Sequence, residues 1–416
     1  MSYLPRVVDG ELDEALSTSG AVLLEGPKAC GKTQTGLQRA ASSVRFDVDA
    51  AARASVLVDP SLALEGASPR LLDEWQYAPE VWDAVRRAVD ERGEPGQFVL
   101  TGSAVPADEA SRHTGAMRIL RLVMRPMTLA ESGLGTPAVS WAAIASGESV
   151  RAADPGVTVR DVARMVARGG WPGNLELSDA RAGRQLRGYL AEIARVDLRQ
   201  VEGIRRDPQT ILRLLRSLAR NTGTPASVAG ISRDVNGADG VIKAETISGM
   251  IAGLSRLMVV EDLPAWAPSL RSRTRLRAAP VRHFVDPSLG VAAVGADSAR
   301  LLGDLQWFGF LFEGLVLRDI RVFSQVLDAR TYHYRDESGL EADIVIEFPD
   351  GRWIAVEVKL GQAHVDQAAA NLIKLRERVD TASSGDPVGL VVVTATGSAY
   401  TRPDGVHVVP AASLGL

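Results

Sequence analysis

The sequence predicts a multidomain α/β protein whose first domain contains a parallel sheet. Three observations support this: apolar strand-like runs alternate with helical patterns in the first third, polar residues follow each run, and strand-like runs return in the last third. The length of 416 residues suits about two to four domains. The composition, 46% hydrophobic and 24% charged, excludes global disorder, collagen and coiled coil.

The elements of the first domain follow one another in a simple alternation. The run AVLLE predicts a strand, and the segment QTGLQRAA, after a glycine-rich turn, predicts a helix. Further strands are expected in PRLLDEWQ and QFVLTGS. Between them, helical spacing is shown by Val81, Trp82, Val85 and Val89. A stretch rich in Gly, Ser, Ala and Pro at about 133–156 is expected to be a surface excursion.

Charge and cysteine content limit the classes of function. The 47 basic and 51 acidic residues give a formal net charge of −4, which argues neither for nor against a nucleic-acid partner. One cysteine, Cys30, and five histidines exclude a disulfide framework and a Cys/His zinc site, and favour a cytoplasmic location. No run approaches the roughly 18 apolar residues that span a bilayer, so we expect no membrane insertion.

The first motif lies between the strand AVLLE and the helix that follows it. Every position of the Walker A pattern is filled, by Gly26, Pro27, Lys28, Ala29, Cys30, Gly31, Lys32 and Thr33. Backbone N–H groups of such a loop surround phosphates, while Lys32 reaches the β and γ phosphates and Thr33 can ligate Mg²⁺. The motif predicts an ATP site; the alternative is a chance glycine-rich turn.

Polar residues after the neighbouring strands complete this predicted site. Asp73 is expected to join the Mg²⁺ shell and Glu74 to activate the attacking water. Ser103, after FVLTG, is expected to sense the γ phosphate. One arginine is expected to act as an arginine finger at the nucleotide of a neighbouring subunit. The possible residues are Arg112, Arg118, Arg121 and Arg125, with Arg118 as the candidate. A finger of this kind predicts a homo-oligomer, with a ring as one form. The alternative, for at least three of these four arginines, is that they belong to a solvated basic face.

The middle of the chain predicts helices and a basic strand. Helical patterns surround a GGWPGN break at about 160–207, and the short helices of about 208–264 suit a winged helix-turn-helix. In an extended run, one face is shared by Arg271, Arg273, Arg275 and Arg277. We expect these arginines to contact DNA phosphates. The alternative is a module for protein contacts with a solvated basic strand.

A second chemical site is predicted in the last third, where ADIVIEF and RWIAVEVKL read as strands. If the loop Pro-Asp-Gly closes a hairpin, Ile344 faces Val356 and most of one face is apolar. This register places Asp343 opposite Glu357. Two carboxylates whose Cβ atoms are about 5 Å apart repel each other unless a cation lies between them. The sequence therefore predicts a bound cation at this hairpin.

Chemistry narrows that cation to Mg²⁺ or Mn²⁺, which carboxylate oxygens bind well, with Lys359 positioning the attacking water. The alternative is an exposed face that carries an ion pair between Glu341 and Lys359. Asp343 followed by Glu357-Val358-Lys359 resembles the PD-(D/E)XK signature of restriction-endonuclease-like nucleases. That resemblance implies that both acids hold the metal, that the lysine assists the nucleophile, and that Glu313 is an additional, helix-borne glutamate.

The order of the parts resembles a bacterial and archaeal family in which an AAA-type ATPase is joined to a C-terminal domain of unknown function with a nuclease-like end. The resemblance is carried by GPKACGKT, LLDEWQYAPEVW, FVLTGS, GAMRILRLVMRPMTLAES, GGWPGN, VRHFVDPSLG, GLEADIVIE and AVEVKLG. It implies a lid motif near the nucleotide at Gly170-Trp171-Pro172. The implied domains are a P-loop ATPase core (1–157), a helical lid (158–207), a winged helix-turn-helix (208–279) and a nuclease-like α/β domain (280–416).

Three functions agree with these features. The leading hypothesis is an ATP-dependent DNA-processing enzyme with a metal-dependent nuclease site. The second is a DNA-dependent motor or remodeller in which the nuclease-like domain does not cut. The third is a nucleotide-gated switch of a stress, defence or toxin–antitoxin-like system, with a protein as partner.

Overall fold

The computed structural model describes six stretches of the chain: 3–102, 115–204, 206–236, 242–268, 279–379 and 385–416. The chain folds as two units. The N-terminal unit comprises Met1–Pro126, Val196–Arg205 and Arg256–Met258. The C-terminal unit comprises Met127–Arg195, Arg206–Ser255 and Val259–Leu416. The boundaries between the four domains predicted from the sequence remain predictions.

Strands and helices alternate in the N-terminal unit. As far as Val123, its helices and strands are, in chain order, α1 (Val8–Thr18), β1 (Ala21–Glu25), α2 (Lys32–Arg39), β2 (Ser42–Arg45), α3 (Ala50–Val58), β3 (Arg70–Asp73), α4 (Val81–Arg92), β4 (Phe98–Gly102) and β5 (Ile119–Val123). The strands form one sheet in the order β2-β3-β4-β1-β5, and every pairing is parallel. The predicted parallel sheet is confirmed.

The burial of these elements explains why the apolar pattern was informative. Strand β4 is buried along its whole length, as expected of a central strand with helices on both faces. Helix α4 buries Val81, Trp82 and Val85 and ends at Gly93, which adopts a left-handed conformation. Because the strands are parallel, their carboxyl ends lie at one edge of the sheet, where ligand sites of such folds form.

The C-terminal unit begins with short strands and continues as helices. Its first elements are β6 (Val139–Ser140), α5 (Trp141–Ala145), β7 (Arg151–Ala152), α6 (Val159–Arg168), α7 (Asp179–Glu192), α8 (Pro208–Arg220), α9 (Val228–Asn236) and α10 (Ala244–Arg256). The antiparallel strands β8 (Val260–Leu263) and β9 (Val281–Phe284) follow. The four arginines expected to bind DNA, Arg271, Arg273, Arg275 and Arg277, lie outside the described residues.

The unit ends in a mixed sheet. The remaining elements are α11 (Pro287–Ala293), α12 (Ser298–Gly303), α13 (Leu305–Val326), β10 (Arg330–Arg335), β11 (Glu341–Glu347), β12 (Trp353–Lys359), α14 (Val365–Arg378), β13 (Gly389–Thr394), β14 (Ala399–Thr401), β15 (His407–Pro410) and β16 (Leu414–Gly415). Seven strands form the sheet in the order β10-β11-β12-β13-β15-β14-β7. Strands β11 and β12 pair antiparallel, with Ile344 opposite Val356. The predicted register of this hairpin is confirmed.

The stretch at 133–156 is not the surface excursion that its composition suggested. Strand β7 extends the large sheet by pairing with β14, and β6 pairs with β16. Trp141 and Ile144 of α5 are completely buried. Small residues and prolines dominate the local pattern, so the few apolar positions that join a core distant in sequence carried too weak a signal.

A buried charge network fixes several segments of the C-terminal unit. The Arg318 guanidinium lies 2.7 Å from a carboxylate oxygen of Asp286, and both side chains are almost fully buried. Asp286 accepts a hydrogen bond of 2.9 Å from the backbone N–H of Gly170. The indole N–H of Trp171 donates to the Ser288 hydroxyl at 3.0 Å. The described contacts of the GWP motif are thus structural, and its predicted place near the nucleotide remains a prediction.

Among the described residues, no helix is both long enough and apolar enough to cross a bilayer.

Candidate functional site

The Walker A loop leaves β1 and enters α2 through two positions that only glycine suits. A Cβ on Gly26 would lie 2.1 Å from the carbonyl oxygen of Met124. Gly31 has a φ of +112°, in the left-handed region that side chains disfavour. The loop can therefore turn tightly, and its backbone N–H groups lie at the positive end of α2, which attracts phosphates.

Lys32 is the buried cation of this loop. Its side chain donates from Nζ to the carbonyl oxygens of Gly26 at 2.8 Å and Pro27 at 2.9 Å. These two bonds fold the ammonium group into the curve of the loop. Phosphate oxygens carry full negative charge and compete well with neutral carbonyls for such a donor. The geometry agrees with the predicted role of Lys32.

Two basic contacts that the sequence did not reveal also involve the loop. The Arg6 guanidinium donates to the Cys30 carbonyl at 2.9 Å and to the Arg125 carbonyl at 2.8 Å. Lys28 Nζ lies 2.5 Å from Oδ1 of Asp197, a residue that is only 3% exposed. These contacts join residues far apart in the chain, so no local pattern could indicate them. Both tie the phosphate loop to segments that the sequence analysis did not connect with it.

Asp73 ends β3 as the fully buried acid of the site. Its Oδ1 accepts hydrogen bonds from the Thr33 hydroxyl at 2.8 Å and from the Thr101 hydroxyl. Its Oδ2 lies 3.4 Å from Arg45 Nε and accepts no hydrogen bond within the described ranges. A hydroxyl beside a carboxylate is a donor set that Mg²⁺ favours. Thr33 and Asp73 would hold the ion, and its charge would neutralise phosphate oxygens.

Glu74 follows Asp73 in an uncommon backbone conformation. Its φ of 53° and ψ of 47° lie in the left-handed region, where a non-glycine residue needs support from its surroundings. Its carboxylate accepts a hydrogen bond from the Gln76 side chain. Burial raises the pKa of Glu74, and the charge of Lys32 opposes part of that rise. A carboxylate with a raised pKa is a better proton acceptor, as a general base requires.

Two other residues assigned to the nucleotide site, Ser103 and Arg112, are outside the described residues. Arg118 precedes β5, at the sheet edge opposite the phosphate loop, because Ile119 pairs with Ala21, the first residue of β1. Its guanidinium forms an ion pair of 2.8 Å with Asp90. The structure does not bring Arg118 to the loop of its own chain, and its role toward a neighbouring subunit remains a prediction.

In the C-terminal unit, the ends of β11 and β12 bring together the predicted carboxylates and lysine. Lys359 Nζ lies 2.6 Å from Glu357 Oε2 and 3.4 Å from Asp343 Oδ2. The backbone N–H of Val358 donates to Asp343 at 2.7 Å. Glu357 is only 1% exposed. This is not the exposed face of the alternative reading, in which Lys359 would pair with Glu341.

Helix α13 adds Glu313 to this carboxylate cluster, defined here as Glu313, Asp343, Glu357 and Lys359. Burial, then the negative charge of Asp343, raises the pKa of Glu313 well above its usual value. Oε1 of Glu313 lies 3.5 Å from Nε2 of His283, a buried residue that sequence reasoning missed. Burial lowers the pKa of His283 to about 3, so its ring is neutral at pH 7.

The cluster holds one cation for three carboxylates. Burial and the charge of Asp343 raise the pKa of Glu357 to about 8, despite Lys359. Burial lowers the pKa of Lys359, but the charges of Asp343 and Glu357 outweigh it and hold that pKa above its usual value. Oε1 of Glu357 is buried without a hydrogen-bond partner among the described residues. Lys359 thus supplies part of the positive charge that was predicted to come from a metal.

The carboxylate cluster meets some of the requirements of a divalent-cation site but not all of them. Asp and Glu oxygens suit Mg²⁺ or Mn²⁺, and the charge of such an ion would offset the excess negative charge of the carboxylates. Across the ranges that the structure describes, however, no group of three or more His, Cys, Asp or Glu residues is arranged to hold a metal ion. The donor set of Glu313, Asp343 and Glu357 therefore fits in chemistry and charge, but not as a ready-made three-ligand arrangement.

Glu357→Gln is expected to stabilise the chain above neutral pH in the absence of divalent ions. Folding raises the pKa of the Glu357 carboxyl from 4.5 to about 8, so its contribution to stability is fully present below pH 4.5. The contribution is lost as the pH rises through about 8, because the buried carboxyl then ionises. We expect the variant to melt about 3 °C or more above wild type at pH 9, with a smaller difference at pH 5. Thermal melts in EDTA, with Glu341→Gln as the exposed control, test this; equal shifts at both pH values would contradict it.

Comparison with known proteins gives three matched regions. A model of an AAA domain matches residues 18–133. Models of two domains of unknown function match residues 159–300 (DUF8612) and 308–414 (DUF4143). The first region contains the whole Walker A loop together with Asp73 and Glu74.

Similar proteins include two from mycobacteria and one of known structure. Uncharacterized protein Rv2008c of Mycobacterium tuberculosis and uncharacterized protein Mb2031c of Mycobacterium bovis are each 28% identical over 365 residues, which cover 85% of this chain and 73% of the relative. The Walker-type ATPase PABY2304 of Pyrococcus abyssi is 11% identical, with a TM-score of 0.43 over 69% of this chain and 94% of that one. The AAA match, the Walker A loop and the acids beside it together support a P-loop ATPase domain at residues 18–133.

Proposed function

We propose that this protein hydrolyses ATP with Mg²⁺ at the Walker A loop. The observation that carries the proposal is the arrangement of Lys32 inside the loop, with the Thr33 hydroxyl bonded to Asp73 at 2.8 Å. Lys32 and the backbone N–H groups of the loop bind the β and γ phosphates. Thr33 and Asp73 hold Mg²⁺, which neutralises charge on the phosphate oxygens.

Glu74 acts as the base in this proposal. It follows Asp73 at the end of β3, so a water molecule attacking the γ phosphate from that side can pass its proton to the carboxylate. The raised pKa of Glu74 supports this role. Thr101 holds Asp73 in place through its hydroxyl.

Lys32→Ala is expected to weaken ATP binding by at least about tenfold, because the charge-assisted bonds to the phosphates are lost. Titration of the full chain with a fluorescent ATP analogue in the presence of Mg²⁺ measures this change. Lys374→Ala, which removes an exposed lysine from α14, is the matched control. Equal affinity in wild type and Lys32→Ala would contradict the proposed binding site.

We further propose that the carboxylate cluster is a metal-dependent site for cutting DNA. The specific observation in its favour is that Asp343 and Glu357, acids separated in sequence, both pair with the ammonium of Lys359, while the buried Glu313 interacts electrostatically with all three. A divalent cation at such a site would polarise a phosphodiester and activate water. Among the side chains, Glu357 and Asp343 would hold the ion while Lys359 orients the water or stabilises the phosphate charge.

DNA as the substrate has support from the neighbouring elements. Three helices, α8, α9 and α10, precede the antiparallel pair β8 and β9, an order that suits a winged helix-turn-helix. The arginines at 271–277, between those two strands in sequence, are proposed to contact phosphates. We also propose a homo-oligomer in which Arg118 serves a neighbour's nucleotide.

A non-cleaving role for the same cluster is the competing proposal. It is favoured by the contacts of Lys359, whose ammonium group pairs with two of the carboxylates and offsets part of their charge. DNA-stimulated ATP hydrolysis without cut products would identify a motor, whereas indifference to DNA in both assays would favour a switch with a protein partner.

A further inference from the structure

A cavity of about 460 Å³ lies in the C-terminal unit, and its lining includes no residue of the carboxylate cluster. It is formed by the end of α8, the residues that link α11 to α12, α12 itself and the first turns of α13. Its size is within the range of about 300–1,000 Å³ typical of small-ligand sites. Its lining includes Arg220, Arg300, Asp304, Gln306, Trp307 and Phe310.

Two of the lining side chains are arginines that form no ion pair within the part of the chain that the structure describes. Arg220 and Arg300 are exposed, and among the described residues neither guanidinium has an ion pair or hydrogen bond. One acid, Asp304, also lines the cavity, but its carboxylate accepts the Trp307 backbone N–H at 3.1 Å as the N-cap of α13. The cavity therefore offers two forked donors suited to an anion such as phosphate.

Two aromatic rings stand beside these cations. Trp307 and Phe310 are three residues apart on α13, which places them on the same side of the helix. The Trp307 indole N–H donates to the Ala219 carbonyl at 2.9 Å, so the ring is held in place. Phe310 packs against Gly223, where a Cβ would lie 3.0 Å from the ring. Fixed rings give a planar group a surface to stack on without much loss of side-chain freedom.

We propose that this cavity binds a nucleotide unit, with its phosphate at Arg220 and Arg300 and its base against Trp307 and Phe310. Stacking on aromatics combined with arginine contacts to phosphate is how single strands are bound without strong sequence preference. The unit can belong to a single strand of DNA or be a free nucleotide. The identification of the ligand as a DNA strand rests on the proposed function. The contacts of arginine with phosphate and of aromatic rings with a base do not depend on it.

The test is binding of a fluorescein-labelled oligothymidylate to the full chain at low salt in EDTA, where neither metal-dependent cutting nor Mg²⁺-dependent binding at the Walker A loop occurs. We expect the affinity to fall about tenfold or more in the double variant Arg220→Gln/Arg300→Gln, and about fivefold in Phe310→Leu. The matched control is Arg184→Gln/Arg187→Gln on α7, with the same change in charge and no part in the cavity. Equal affinities in the double variant and its control overturn the proposal.

Competitors distinguish the sources of the nucleotide. Displacement of the oligonucleotide by thymidine monophosphate assigns the cavity to a free nucleotide, and failure to displace it assigns the cavity to a strand. An abasic oligomer that binds as well as oligothymidylate overturns the role of the rings. Oligonucleotide binding in EDTA measures the cavity alone, whereas phosphate release and DNA cutting in Mg²⁺ measure the ATP and nuclease proposals, so failure of the cavity and failure of those proposals give different results.

Discussion

Replacing Glu74 by glutamine is expected to slow ATP hydrolysis by about 100-fold or more, because loss of a general base typically costs that much. ATP binding should persist, since Lys32 and the backbone N–H groups that bind phosphate are unchanged. Glutamine has nearly the volume of glutamate and can occupy the same position beside Gln76. The measurement is phosphate release together with the affinity for a fluorescent ATP analogue. The matched control is Glu80→Gln, an exposed acid six residues along the chain.

The pH dependence of the rate provides a second, independent reading of the same residue. A base must be ionised, so the rate should fall as pH drops through the raised pKa of Glu74. The residual rate of Glu74→Gln should lack this acidic decline. Hydrolysis by Glu74→Gln at the wild-type rate would remove Glu74 from the mechanism and leave the water to be activated by the phosphate or by another group.

Replacing Lys359 by alanine is expected to abolish cutting of DNA in Mg²⁺ or Mn²⁺, a loss of about 100-fold or more, while ATP hydrolysis continues. The lysine bonds to both Glu357 and Asp343, so its removal takes away the only cation of the cluster and the group that we propose orients the nucleophile. The measurement is the appearance of fragments from linear and single-stranded DNA, with and without ATP.

Controls separate chemistry from folding at this site. Lys359→Ala leaves buried carboxylates without their cation, so its fold is checked by thermal melting. Asp343→Asn/Lys359→Ala removes one charge of each sign and should restore stability but not cutting. Glu341→Gln, an exposed acid paired with Arg335, should cut DNA like the wild type. Metal-dependent cutting by Lys359→Ala would contradict the assignment, and intact DNA with the wild type would favour a motor or a switch.

Local patterns in the sequence predicted the elements that surround both sites. The Walker A residues needed only the order of strand, turn and helix, which local sequence carries. The opposition of Ile344 and Val356 followed from the apolar alternation, because a one-residue slip would have moved charged side chains into the core. That register was enough to bring Asp343 close to Glu357 and Lys359.

Contacts between distant segments could not be predicted in the same way. Arg6 on the Cys30 carbonyl, Asp197 beside Lys28, and His283 beside Glu313 each join residues at least 24 positions apart. Their partners are chosen by the tertiary fold and leave no periodicity in the chain. The charge balance of the cluster is of the same kind, since the sequence suggested a metal between two acids whereas Lys359 lies between them.

The central claim is that the Walker A loop of this chain hydrolyses ATP. Its most direct test is steady-state phosphate release from ATP by the purified full chain in Mg²⁺, measured beside Lys32→Ala. We expect release by the wild type that depends on Mg²⁺ and is absent from Lys32→Ala. No release by the wild type, or equal release by Lys32→Ala, would contradict the claim.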